Sequence, residues 1–279
     1  GAGSDVNIEQ WGNEMLTQVG FFRATMDILD IRLFKNFFLL SDAYDSLHFL
    51  VWRESDKSLT LLAKDYDPIP VVVSGLMSRG PTMTFAGHDI RQNLQFFHYA
   101  PGEAASRGGN KLVVRADFHL GASTTALVSF PCRSSLIAHS ATPKSSLAAL
   151  RQQDPKYGQL DDDQRVGVYF GSSDGGMGVI VPLSEPTYWR FTALQSVMAN
   201  ALMTNCALNQ KAWRLYRRST HRGGCRTHER KRSVIDGNLI FRFIDLPIYE
   251  QEDLASSIGS TVDMIVDNLL ELRSSSIML

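Results

Sequence analysis

Phe37-Phe38-Leu39-Leu40-Ser41-Asp42 runs through a short polar turn into Leu47-His48-Phe49-Leu50-Val51-Trp52, and a matching pair of runs lies one fixed step further on. There Met83-Thr84-Phe85-Ala86-Gly87-His88-Asp89 turns into Leu94-Gln95-Phe96-Phe97-His98-Tyr99. Asp42 and Asp89, Leu47 and Leu94, and Trp52 and Tyr99 are each 47 residues apart. A further strand follows in each unit, Leu59-Thr60-Leu61-Leu62-Ala63 in the first and Lys111-Leu112-Val113-Val114-Arg115 in the second. A repeat of about 40–50 residues built from short antiparallel strands marks the blades of a β-propeller. Such folds commonly serve as platforms for other macromolecules, so the first question is what docks on the surface.

The chain has 279 residues, 44% hydrophobic and 20% charged, enough to bury a sizeable core. It contains no run of about 18 apolar residues that would span a membrane, and no secretory leader pattern. Its three cysteines, Cys132, Cys206 and Cys225, form no disulfide framework, which points to the nucleus or cytosol. At roughly four strands per blade, the β part holds three to four blades, too few for most closed rings. The expectation is therefore the C-terminal piece of a longer protein, with upstream strands completing the ring and covering its edges.

Residues 1–130 read as propeller blades. Asp56-Lys57-Ser58 reads as a hairpin turn, and Gly102 to Asn110 as a flexible connection within one blade. Residues 131–165, rich in Pro, Ser, Ala and Gln, read as a flexible insertion. Residues 166–182 supply a last propeller hairpin. After Pro182 the hydrophobic period changes from 2 to about 3.6, so 183–279 reads as a helical domain. Its first helix opens at Ser184-Glu185-Pro186, and a second is expected over Gln210–Arg217. Further helices are expected near Asp236–Leu246, from Pro247 to Gly259, and from Ser260 or Thr261 onward. Leu239, Phe243, Leu246, Leu254, Ile258, Ile265 and Leu269 are expected to pack this tail against the propeller.

No pattern points to catalysis. Gly171-Ser172-Ser173-Asp174-Gly175 matches G-x-S-x-G, but a nucleophile elbow needs a helix after the turn and here a strand follows. A glycine-rich hairpin is the reading. The glycines at 175, 176 and 178 miss the dinucleotide spacing. His221, Cys225 and His228 lack the second ligand pair that structural zinc wants, so no metal and no cofactor is assigned. Asp117 and His119 share one face of a strand and read as structural hydrogen-bonding groups at a blade edge.

Charge is the feature that departs most from the mean. Lys211, Arg214, Arg217, Arg218, Arg222, Arg226, Arg230, Lys231 and Arg232 set nine positive charges against Glu229 alone. The whole chain carries −1, so the remainder carries −9. Such segregation suits a loop that meets phosphate, or one that faces an acidic neighbour within an assembly. Trp213 and Tyr216 are the aromatics interleaved with it, and both are expected to face a core.

Against this background several stretches resemble the CPSF-A superfamily. That superfamily includes the largest subunit of the cleavage and polyadenylation specificity factor, the large DNA damage-binding subunit and a splicing-factor scaffold. The run from Gly175 to Arg190 looks like its junction of final blade and tail. Val234-Ile235-Asp236-Gly237-Asn238-Leu239 is similar to its shared (V/I)-(L/I/V)-D-G-x-L signature, with Asp236 expected to cap a helix. Leu208 to Arg214, Leu254 to Thr261 and Asp267 to Glu271 resemble the polyadenylation subunit in particular, as do Lys35-Asn36-Phe37 and Arg115 to Gly121. The resemblance covers nearly the whole chain apart from residues 131–165 and the tip of the basic loop, and Ser276 to Leu279 has no counterpart in that pattern.

The resemblance implies a non-catalytic scaffold in a nuclear complex that recognises the polyadenylation signal of pre-mRNA. It implies protein partners, a zinc-finger subunit and a WD-repeat subunit, with RNA met directly or through them. It implies no membrane and no small-molecule substrate. A direct RNA-binding module acting through 211–232 is the rival expectation, and a ubiquitin-ligase adaptor or splicing scaffold of the same superfamily a third.

Overall fold

The computed structural model describes residues 3–12, 15–67, 69–79, 82–132, 165–202, 210–219, 225–228 and 234–275. Most of the expected insertion lies outside them. The 47-residue repeat is a pair of four-stranded antiparallel blades. The first is β3 (Ile28–Phe34), β4 (Phe37–Asp42), β5 (Ser46–Arg53) and β6 (Ser58–Lys64) in that order. The second is β7 (Val71–Arg79), β8 (Thr82–Asp89), β9 (Asn93–Tyr99) and β10 (Val113–His119).

The repeated aspartate shows why the two units fold alike. Asp42 is fully buried, and its Oδ1 accepts from the N–H groups of Tyr44 (2.8 Å) and Asp45 (3.0 Å). Asp89 does the same for Arg91 (2.7 Å) and Asn93 (2.9 Å). Each carboxylate satisfies turn donors that the strand ladder cannot reach, fixing the hairpin between the second and third strands. The blades then stack through one shared core. Leu39, Leu47, Phe49 and Ala63 of the first meet Val71, Phe85, Phe97 and Leu112 of the second. Phe49 and Phe85 lie with ring centroids 4.9 Å apart. Full burial of each such aromatic stabilises the stack by about 1.5–3 kcal/mol.

A further hairpin, β1 (Asp5–Gly12) with β2 (Met15–Arg23), covers the other face of the first blade through Val6, Leu40, Leu50 and Leu59. On the far side of the second blade lie β11 (Thr124–Pro131), β12 (Val166–Ser172) and β13 (Met177–Ile180). β12 bridges to β7 at Val166 and Ser78, so these strands extend the second blade into a seven-stranded sheet. The described strands do not close a ring.

The ends of the expected insertion are pinned together. Pro131 pairs with Val166, and the N–H of buried Cys132 donates to Arg165 O at 2.7 Å. The G-x-S-x-G stretch is the β12–β13 turn: Ser172 N–H donates to Gly176 O at 2.8 Å and Gly175 has φ +84°. The connection at Gly102 to Asn110, expected to be flexible, is instead an ordered turn. A 3-10 segment at Ala104–Ser106 buries Ser106, whose hydroxyl accepts from Gly109 N–H at 3.1 Å. This longer turn displaces the fourth strand of the second blade to 113–119, beyond the position that a strict repeat gives it.

The tail is helical. α1 (Glu185–Ala201) starts on Ser184, whose hydroxyl accepts from Thr187 N–H, with Pro in the first turn. After α2 (Gln210–Trp213), α3 (Gly237–Ile240) runs into a 3-10 segment (Phe241–Asp245), followed by α4 (Ile248–Ser257) and α5 (Val262–Ser275). Three expectations for this region are corrected. The helix expected over Gln210–Arg217 stops at Trp213. Beyond it the basic segment, expected as a loop, forms a hairpin in its described part, β14 (Tyr216–Ser219) with β15 (Cys225–His228). Leu239, Phe243, Leu254, Ile265 and Leu269, expected to pack the tail against the propeller, instead build a core inside the tail with Phe191, Leu194 and Met198, and Leu246 and Ile258 pack against that core.

The twin carboxylate turns yield a direct prediction. Asp89→Ala is expected to lower unfolding stability by about 3 kcal/mol, because it strips charge-assisted bonds from buried donors. Urea unfolding of the purified protein measures this, and Asp89→Asn should recover part of the loss.

Candidate partner and nucleic-acid interface

The basic segment begins at the seam where the last strand of the second blade meets the helical tail. Arg214 is its first described cationic side chain, and it faces inward. Its side chain is 13% exposed, and its Nε donates to Asp236 Oδ2 at 2.7 Å. Nη1 donates to the carbonyls of Leu120 (2.9 Å) and His119 (3.2 Å) at the end of β10. The guanidinium lies 4.6 Å from the Phe118 ring centroid. One planar fork thus joins a blade edge, the basic segment and the start of α3. With these bonds made, Arg214 is part of the frame and not of the exposed cationic surface.

Asp236 is the partner that makes this burial tolerable. Its side chain is 7% exposed, and Oδ1 caps α3 by accepting from Asn238 N–H at 3.1 Å. Its own N–H donates to Gln195 Oε1 of α1 at 2.7 Å. The residues around it divide between two cores: Val234 packs against the blade cluster, and Ile235 and Leu239 against the helical one. Gly237 opens α3 directly behind the capping carboxylate. The signature Val234 to Leu239 therefore reads physically as a rivet through both units.

A second clamp lies one step along. Asn93, fully buried and held by Asp89 (Nδ2 to Oδ2, 2.8 Å), offers its amide to the backbone of Arg217 as a strand would. Arg217 N–H donates to Asn93 Oδ1 at 3.1 Å, and Asn93 Nδ2 donates to Arg217 O at 3.0 Å. His119 Nδ1 donates to the same Oδ1 at 3.1 Å, which fixes the neutral ring with its proton on Nδ1. Burial first, then the charges of Arg217 and Arg214, hold the His119 pKa down at about 4. Trp213 stands edge-on to His119 at 5.3 Å and presses on Gly121. Gly121 has φ +80°, and a Cβ there would lie 2.5 Å from the indole, so only glycine suits the position.

Of the remaining expected contact residues, Arg217 is half-buried with its guanidinium 5.2 Å from the Trp213 ring. Arg218 and Arg226 stand opposite each other in the β14–β15 register. Lys211 lies in α2. Arg222, Arg230, Lys231 and Arg232 lie outside the described residues, as does His221. Tyr216 is buried as expected, and Trp213 packs on the blade end. Asp117 and His119 do share one face of β10 and are both buried.

Beside the Arg214–Asp236 pair a cleft of about 230 Å³ opens between β10 and α1, walled by Phe118, Val234, Leu239, Asp117 and Gln195. Pockets that enclose drug-sized ligands run to about 300–1,000 Å³, so this space suits an inserted side chain better.

Comparison with known proteins places these features in a family. Residues 1–245 match the family described as the CPSF A subunit region. Over 272 residues the chain is 31% identical to the cleavage and polyadenylation specificity factor subunit 1 of Arabidopsis thaliana, covering 97% of the chain and 17% of that protein. A protein of Oryza sativa, named as the probable same subunit, is 29% identical over 271 residues, with the same coverage of both chains. Protein cft1 of Schizosaccharomyces pombe is 26% identical over 257 residues, covering 92% of the chain and 16% of the relative. The chain thus spans about a sixth of the length of these relatives.

Two outcomes follow from the seam. Arg214→Ala should destabilise the protein by about 3–5 kcal/mol, since it leaves Asp236 buried without its cation. Arg214→Lys should recover less than half, because an ammonium cannot reach a carboxylate and two carbonyls as a fork does. Urea unfolding checks both. For His119 the folded pKa lies below its usual 6.5, so its contribution is complete above about pH 6.5 and is lost as pH falls toward 4. A loss of about 2 kcal/mol over that window is expected, allowing for solvent screening, and His119→Gln should flatten it.

Proposed function

The chain belongs to the CPSF A subunit family, and from that premise we propose that it is the C-terminal portion of a non-catalytic scaffold subunit in pre-mRNA 3′-end processing. The observation that carries the reading is the match to the family over residues 1–245 together with relatives named as subunits of the cleavage and polyadenylation specificity factor. The geometry supports it: blade and tail are joined by a buried ion pair and a side-chain amide clamp, the construction of a rigid platform. In this role the protein works in the nucleus and holds a zinc-finger subunit and a WD-repeat subunit, which read the RNA. Docking both on one preformed surface removes ordering cost from RNA binding. It also raises the effective concentration of each reader beside the other.

A second reading is favoured by one observation. The hairpin of β14 and β15 pairs Arg218 with Arg226 in its register, within a segment that sets nine positive charges against Glu229 alone. RNA phosphate is an anion that such a segment suits. In this reading Lys211, Arg217, Arg218, Arg222, Arg226, Arg230, Lys231 and Arg232 form the contact surface, with Arg214 holding its base.

Affinity purification of the tagged full-length protein from nuclear extract, with and without RNase, separates the two. The scaffold reading predicts that polyadenylation factors remain after RNase, and loss of every partner would remove it. Recovery of a cullin ligase or splicing particle would move the chain to another branch of the superfamily. Changing Arg217, Arg218, Arg230 and Arg232 together to Gln gives the complementary measurement. Direct contact predicts weaker RNA binding and a salt slope reduced by about 0.7 for each phosphate no longer neutralised, whereas the scaffold predicts no change.

A further inference from the structure

The tail carries an apolar strip that its own core does not use. Ile244, Ile248 and Tyr249 are 40%, 63% and 62% exposed. Gln251 brings them together: its Nε2 donates to Leu246 O at 2.9 Å and to Ile244 O at 3.3 Å, laying the 3-10 segment against the first turn of α4. Ile248 lies three residues before Gln251, on the same side of that helix. Single exposed aliphatic residues are ordinary, but three within six positions on neighbouring turns form a patch.

Its rim is acidic. Asp245, Glu252 and Asp253 are exposed around the strip, Glu250 is half-buried beside it, and Arg242 is the one base in the stretch 242–253. A helix dipole accounts for an acid in the first turn of α4, where Glu250 lies, but not for Asp245, Glu252 and Asp253 together. An apolar centre with a rim of one charge sign suits a partner of the opposite sign. The charge steers the encounter and the apolar anchor supplies the affinity.

We propose that the strip Ile244–Tyr249 docks a basic segment of another protein chain. An aliphatic or aromatic side chain of that segment rests on Ile244 and Ile248, and its Lys or Arg residues meet Asp245, Glu252 and Asp253. The strip shares no residue with the Arg214 seam, and its occupation does not depend on which complex the protein serves.

The test places the photo-crosslinking residue benzoylphenylalanine at position 248 of the full-length protein in its native cell, followed by irradiation and sequencing of the attached peptides. The expected result is a segment of a different protein with net positive charge. In addition, Glu252→Lys combined with Asp253→Lys should cut the cross-link yield at least tenfold with an unchanged melting temperature. Attachment to an acidic or neutral segment, to RNA or to a second copy of this chain would overturn the proposal. So would the absence of any protein cross-link, or a yield indifferent to the charge reversal.

Discussion

The buried ion pair between Arg214 and Asp236 is the constraint on which the arrangement of the two units depends. Neither charge is tolerable alone at that depth, because desolvating an unpaired ion costs several kcal/mol. Each also performs a second task. Arg214 satisfies two carbonyls at the end of β10, where the strand ladder has stopped, and Asp236 caps α3. The pair therefore links the edge of the second blade to the first turn behind the basic segment. Any motion that separates blade from tail has to expose or orphan both groups. Such a joint specifies one relative placement more than it adds net stability.

The blades reach their order by different physics. Their cores are apolar and shared, with Phe49, Phe85 and Phe97 fully buried, and their turns are set by buried carboxylates. Asp89 connects the two regimes. It organises the β8–β9 turn, and it positions Asn93, whose amide receives the backbone of Arg217. A turn residue of the second blade thereby sets where the basic hairpin departs from the frame.

Much of this order is legible in the sequence, for identifiable reasons. Alternating apolar residues and a recurring turn aspartate reveal the blades, because strand period and turn chemistry are local. Ser184, Asp236 and Gly259 mark helix ends for the same reason. The basic segment resists such reading. Its arginines have no apolar alternation, and its strand is anchored by Asn93, 124 residues away. Composition also groups Arg214 with eight other cations, and only its bond to a distant acid sets it apart. The available signal was Asp236 itself: an acid amid Val234, Ile235 and Leu239 enters a core and requires a cation. The runs Arg115 to Gly121 and Leu208 to Arg214 each resemble the family separately. That they meet, with Trp213 seated on Gly121, is a property of the fold alone.

Native-state hydrogen exchange on the full-length protein tests the central claim most directly. If the seam makes one unit of blade and tail, amides of β9 and β10 and amides of α1 and α3 open with the same free energy. Arg214→Ala then lowers both sets together. Helical-tail amides that exchange independently of the blade, with blade protection untouched by Arg214→Ala, would contradict the account.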